Sequence, residues 1–155
     1  MQPVAPAASL LRPSACPGLW RVVPARDGGI CRVKLPGGLL TSAQARAVAE
    51  AARLYGSGVL ELTNRSNLQL RGVREECQAP LVQHLLAAGL GPRNPAADDV
   101  RNLLLSPAAG RDRSAHLDTR PLAGRLLALL ENTPELHALS AKFALQLDGG
   151  EALSL

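Results

Sequence analysis

Aromatic residues make up 2% of this 155-residue chain, as Trp20, Tyr55 and Phe143. Proteins that hold single-stranded nucleic acid stack bases on aromatic platforms, so this scarcity argues against a nucleic-acid partner. Cysteine is equally sparse. Cys16, Cys31 and Cys77 are odd in number and far apart, with no C-x-x-C, so neither a disulfide framework nor a zinc site is indicated, and a reducing cytoplasm is the expected compartment. His84, His116 and His137 stand at metal-ligand spacing neither with one another nor with the cysteines. No apolar run approaches the roughly 18 residues that a membrane span requires, and no membrane partner is expected. The opening residues contain Pro3 and Pro6 and lack the basic lead of a secretion signal, so residues 1–14 read as a loose arm. A phosphate-cradling P-loop is missing as well, because Leu35-Pro36-Gly37-Gly38 is not followed by its lysine.

What is present is a composition able to fold and a pattern of cations. With 46% hydrophobic residues the chain can bury one ordinary core, and its net charge of +4 suits an anionic partner. The cations fall in three stretches: Arg32 to Gly38, Leu62 to Gly72, and Asp98 to Asn102. Read as strands, the first two alternate with period two. Arg32 and Lys34 then share one face, against Cys31, Val33 and Leu35 on the other. Asn67, Gln69 and Arg71 likewise oppose Leu68 and Leu70. One face is expected to bury and the other to be basic.

Gly28-Gly29 and Pro36-Gly37-Gly38 bracket a strand at 30–35, and Thr41 with Gln44 forms a capping box for a helix at 42–55 that Gly56 stops. Its small-residue stripe is Ala45, Val48, Ala49 and Ala52. Strands at 58–63 and 67–72 form a hairpin. A helix at about 75–88 follows, burying Val82, Leu85 and Leu86 and ending at Gly89. A strand near 100–105 leads to a helix at 120–131, entered through Asp118 or Thr119 and Pro121, and then to a short turn from Thr133-Pro134. A strand at 142–147 precedes an Asp148-Gly149-Gly150 turn, after which Leu153 and Leu155 continue the apolar pattern. The fold class is α/β in the α+β sense, ferredoxin-like, with helices covering one sheet face and the other left for a ligand.

Arg32, Lys34, Arg65, Arg71, Arg101 and Lys142 are the candidate ligand cations. Guanidinium groups bind carboxylates bidentately and stay charged, so several converging on one face suit a ligand with many carboxylates. Each alone also reads as an ordinary solvated charge. Asn64, Asn67 and Gln69 are candidates for orienting a ligand's polar edge, although Thr63-Asn64-Arg65-Ser66 reads equally as hairpin chemistry. Cys31 is read as a core residue rather than a nucleophile.

Arg32 to Gly38, Leu62 to Gly72, Asp99 to Asn102 and Leu139 to Phe143, in that order, resemble the amino-terminal half of the sirohaem-dependent sulfite and nitrite reductases and of their relative, precorrin-3B synthase. The resemblance covers roughly residues 14–150. It implies a ferredoxin-like half-domain at 15–90 and, at 91–155, the start of a domain holding a tetrapyrrole and a 4Fe-4S cluster. By resemblance Arg32, Arg101 and Lys142 are the catalytic cations near the reacting face. Lys34, Asn64, Arg65, Gln69 and Arg71 grip the carboxylated tetrapyrrole. The reductases usually carry a second lysine two residues beyond the match to Lys142, where this chain has Ala144. That departure, with the Ser14 to Gly18 and Ala25 to Cys31 segments, favours precorrin-3B synthase, in which the macrocycle is substrate of an oxygen-dependent hydroxylation and lactone closure. The cluster needs four thiolates that this chain does not supply, so iron or sirohaem and the 4Fe-4S cluster are expected only in the complete enzyme. The expected partner is a missing carboxy-terminal half or a second subunit, with no activity in this chain alone. The alternatives are a reductase fragment and, from another class, a non-catalytic tetrapyrrole- or RNA-binding module.

Overall fold

The computed structural model describes residues 16–153, so the arm expected at 1–14 and the terminal Leu155 lie outside the described residues. Strands β1 (Val23–Ala25) and β2 (Gly28–Val33) form a hairpin, and β1 is a strand that periodicity did not reveal because it is short and half-exposed. Helix α1 (Ser42–Tyr55) begins at the expected capping box, with Thr41 Oγ1 accepting from Gln44 N and Gln44 Oε1 accepting from Thr41 N. It crosses to β3 (Leu60–Leu62), which turns into β4 (Leu68–Val73), and α2 (Gln78–Ala87) follows. The sheet order is β1-β2-β4-β3, so β4 lies between the two strands that α1 joins, the split β-α-β arrangement of ferredoxin-like folds.

The helices cover one sheet face. Val48, Ala51 and Ala52 of α1 and Leu81, Val82 and Leu85 of α2 pack with Cys31, Val33, Leu68, Leu70 and Val73 in the main core. The stripe expected on α1 is rotated: Ala45 and Ala49 are exposed and Ala51 is buried, because an alanine-rich helix carries little information about which small side chain faces inward.

Beyond α2 lie β5 (Leu103–Leu105), α3 (Arg120–Asn132) and β6 (Leu145–Leu147). β5 and β6 pair in parallel as a separate two-stranded sheet backed by Ala109 and Ala123. Both are shorter than the expected 100–105 and 142–147. The apolar pattern also fails to extend a strand past the Asp148 to Gly150 turn: Glu151 is buried and Leu153 is exposed. No described helix is long and apolar enough to cross a membrane.

Candidate functional site

Pro36-Gly37-Gly38 folds back at the end of β2. Gly37 and Gly38 take φ of 71° and 66°, and a Cβ on Gly37 would stand 2.9 Å from Leu105 Cδ1. The turn therefore sets β5 against the sheet. Beside it, two buried amides join the segments that carry the candidate cations. Asn67 Oδ1 accepts from Leu35 N at 3.0 Å, and Asn67 Nδ2 donates to Asn102 Oδ1 at 2.9 Å. Asn102 Nδ2 in turn lies within hydrogen-bond range of the carbonyls of Asp99, Ala141 and Phe143, at 2.9–3.2 Å. One amide pair thus holds the end of β2, the 63–67 turn, the 99–102 turn and the backbone either side of Lys142. Asn67 is a buried structural amide, which corrects the expectation that it faces a ligand. A closed pair of hydrogen bonds leaves it no free edge.

The face of the sheet away from the helices carries a ladder of polar groups. Arg32 stands opposite Gln69, which stands opposite Glu61. Arg32 Nη2 donates to Gln69 Oε1 at 2.6 Å, and Gln69 Nε2 donates to Glu61 Oε2 at 2.9 Å. Arg71 is already occupied, with Nε and Nη2 on the two oxygens of Asp27 at 3.0 and 2.7 Å and Glu61 3.6 Å away. This pairing holds the Asp27 carboxyl below its ordinary range. Half-burial lowers Arg32 and neighbouring Arg65 adds to the lowering, while Cys16 and Asp99 oppose it. Arg65 is half-buried, Asn64 and Lys142 are exposed, and none of these side chains makes a hydrogen bond or ion pair among the described residues.

Lys34 and Arg101 depart from the expected basic face. Lys34 is 3% exposed, and its Nζ lies 3.5 Å from Asp99 Oδ1. Period two does hold from Cys31 to Leu35, but the 95–102 segment covers the end of this row. Asp99 also accepts both bonds of Arg21 Nη2, at 2.6 and 2.8 Å. Arg101 is 6% exposed, with its Nε 2.8 Å from Glu131 Oε1 of α3. The contact is off the N–H axis, so Arg101 Nε and Nη1 are buried without a hydrogen-bond partner. Burial pushes the Arg101 guanidinium down, while Glu131 and Asp98 support its charge. Asp98 is buried with Oδ2 on Leu19 N at 2.8 Å and Oδ1 unpartnered, and burial raises its carboxyl against the pull of Lys34.

Reading cations alone missed Arg21, Asp98, Asp99, Asn102 and Glu131. The Asp98-Asp99 pair two residues before Arg101 was the available signal, since opposite charges so close together in a segment flanked by apolar residues foretell internal pairing. Of the six candidate cations, those without a carboxylate in ion-pair range among the described residues are Arg32 on the open sheet face, Arg65 in the 63–67 turn and Lys142. An apolar hollow of about 400 Å³ lined by Trp20, Val22, Val82 and Leu86 lies against α2 and shares no residue with these cations.

The cysteines do not converge. Cys31 is fully buried on β2, its thiol pushed far up by burial, while Cys77 precedes α2 and Cys16 precedes the first hairpin. Among the described residues no cluster of three or more His, Cys, Asp or Glu side chains is placed to hold a metal.

The chain is 37% identical to a ferredoxin–nitrite reductase of Leptolyngbya laminosa over 76% of its length and 24% of the relative's. It is 35% identical to that of Synechococcus elongatus over 88% of its length and 27% of the relative's. A precorrin-3B synthase of Sinorhizobium is 31% identical over 94% of the chain and 30% of the relative. The chain thus spans between 24% and 30% of these proteins. The profile described as the nitrite/sulfite reductase ferredoxin-like half domain matches residues 23–88, the four-stranded sheet and its two helices, and it is in this segment that the chain is similar to that family.

Proposed function

We propose that this chain supplies the tetrapyrrole-facing half domain of an oxidoreductase of the nitrite/sulfite reductase family, with precorrin-3B synthase as the member it serves. The observation that carries the reading is the open sheet face, where Arg32 and Arg65 stand near one another with no carboxylate partner in hydrogen-bond range. Neighbouring uncompensated guanidinium groups suit a ligand bearing more than one carboxylate. Gln69 fixes Arg32 through its Oε1, and Asn64 stands exposed beside Arg65 to meet a polar edge. Arg71 keeps the ladder charged and in register through Asp27 and Glu61. Lys142 lies at the margin where a small reactant would approach. The complete enzyme would carry iron or sirohaem and a 4Fe-4S cluster. The described cysteines of this chain do not fit that cluster, so its ligands belong to a carboxy-terminal half or second subunit. The bound tetrapyrrole supplies the reacting centre. This chain's residues bind its carboxylates, orient its edge and keep cations beside it.

Two observations bear on the member. Ala144 stands where the reductases carry a second lysine, and the precorrin-3B synthase alignment runs over 94% of the chain. The nitrite reductases align at higher identity over less of it, which supports sirohaem-dependent nitrite reduction as the second reading.

Titration of the purified chain with a carboxylated tetrapyrrole, followed by visible absorbance, tests the ligand face. Arg32→Ala and Arg65→Ala should each weaken binding by about 1.5–3 kcal/mol, the worth of a charged hydrogen bond. Arg71→Ala should weaken it less, because its donors are already engaged. Equal affinity in all variants would reject the assignment.

A further inference from the structure

We propose that the apolar hollow beside α2 is the seat of this chain's own amino-terminal segment, with Pro3-Val4-Ala5-Pro6 lying in it as an extended polyproline stretch. The inference is independent of the ligand face, since the hollow shares no residue with Arg32, Arg65 or Lys142. It gives a binding role to residues whose composition suggests only a loose arm.

Three observations carry it. First, the hollow holds the single tryptophan of the chain, partly buried beside Val22, Val82 and Leu86 in a space of about 400 Å³. A groove lined by an aromatic face is the surface on which proline-rich segments dock, because the polyproline helix is preformed and gives up little entropy on binding. Second, the polar groups lining the hollow are Gln78, Gln83 and Arg93, and none of these side chains has a hydrogen bond or ion pair among the described residues. With the Trp20 indole they offer N–H donors and no carboxylate. Pro3 and Pro6 lack an N–H, so residues 3–6 carry more carbonyls than donors and no charged side chain, which complements a donor-bearing wall. Third, the tether is long enough. Residues 1–15 lie outside the described residues and join them at Cys16, four residues before Trp20. Those four steps separate Cys16 from Trp20 by at most about 14 Å, whereas the ten from Pro6 to Cys16 span up to about 33 Å, so the segment can fold back onto its own molecule. Such a tether keeps the segment near its seat at millimolar effective concentration, which favours the chain's own hollow over that of a second copy.

Acrylamide quenching of Trp20 fluorescence in the full chain tests this, because no other tryptophan contributes. In the unaltered chain quenching should be slow and independent of protein concentration. Replacing both prolines, Pro3→Ser with Pro6→Ser, should speed quenching and move the emission to the red while the melting curve stays cooperative. A synthetic peptide of residues 1–15 should slow quenching again in that double variant, yet leave the unaltered chain unchanged up to about millimolar concentration. Ala79→Glu adds a carboxylate at an exposed position lining the hollow, in the first turn of α2 where a negative charge suits the helix. Combined with the two proline changes, it should abolish the peptide's effect. Equal quenching in the unaltered chain and the double variant, or protection by peptide that survives Ala79→Glu, overturns the inference. Protection that fades on dilution of the unaltered chain overturns it too, and marks a second copy as the occupant.

Discussion

Lys34 and Arg101 show how burial changes the meaning of a charge. Each lies in a stretch that looks like a basic surface, and each is buried against a carboxylate from far along the chain, Asp99 for Lys34 and Glu131 of α3 for Arg101. Breaking such a group away from its partners costs more than losing a surface pair. The same logic applies to the amide junction. Asn102→Leu removes the bridge to Asn67 and the contacts to three carbonyls, and should destabilise the fold by about 3 kcal/mol in urea titration, since buried partners are left unsatisfied. Asp98 gives a pH signature. Its folded pKa is raised above the ordinary 3.8 by burial, with Lys34 and Arg101 opposing and Asp99 assisting. A raised carboxyl favours the fold below that value, and the contribution is lost as pH rises through the folded value. Asp98→Asn removes this dependence. The stability of the variant relative to the unaltered chain should therefore increase with pH across the acid range, and a flat difference in melts at several pH values would contradict the assignment.

At the scale of elements, the 36–38 turn and the start of α1 connect local chemistry to the site. The capping box closes two donors at the first turn of α1, and Thr41→Ala should cost about 1 kcal/mol in chemical denaturation, as for other lost caps. Gly37 combines left-handed backbone with a close approach to Leu105. Gly37→Ala should cost about 1–2 kcal/mol from backbone strain alone, and should loosen the contact between the turn and β5. Hydrogen exchange at Leu103–Leu105 would then quicken relative to β4, whereas uniform exchange would mean that the turn does not brace β5.

At the scale of the whole molecule, the sheet ends in an uncovered edge. β3 is exposed along its length, with Leu62 85% exposed and Leu60 also open to solvent. Unpaired strand edges with apolar side chains invite pairing with another chain. The purified chain should self-associate with rising concentration, and Leu62→Lys should shift it toward monomer in light scattering. A monomer unaffected by concentration or by Leu62→Lys would show that the edge is adequately protected by its shortness.

Periodicity and turn chemistry were sufficient for the elements whose signals are local. The capping box at Thr41 and Gln44, the stop at Gly56, the 58–72 hairpin and the inward row Cys31, Val33 and Leu35 follow from short-range rules, because hydrogen bonding and side-chain alternation act within a few residues. The same alternation brought Arg32 and Gln69 to one face. What local rules do not contain is which segment lies over that face and which carboxylate comes from far along the chain. Asp99 reaches Arg21 across 78 residues, Asn67 reaches Asn102 across 35, and Glu131 meets Arg101 from a helix whose own pattern marks it only as amphipathic. Charges of both signs were legible in the sequence. Their pairing, and hence which cations stay free for a ligand, was decided by tertiary packing, since desolvation forces a buried charge to find its partner wherever the fold brings one.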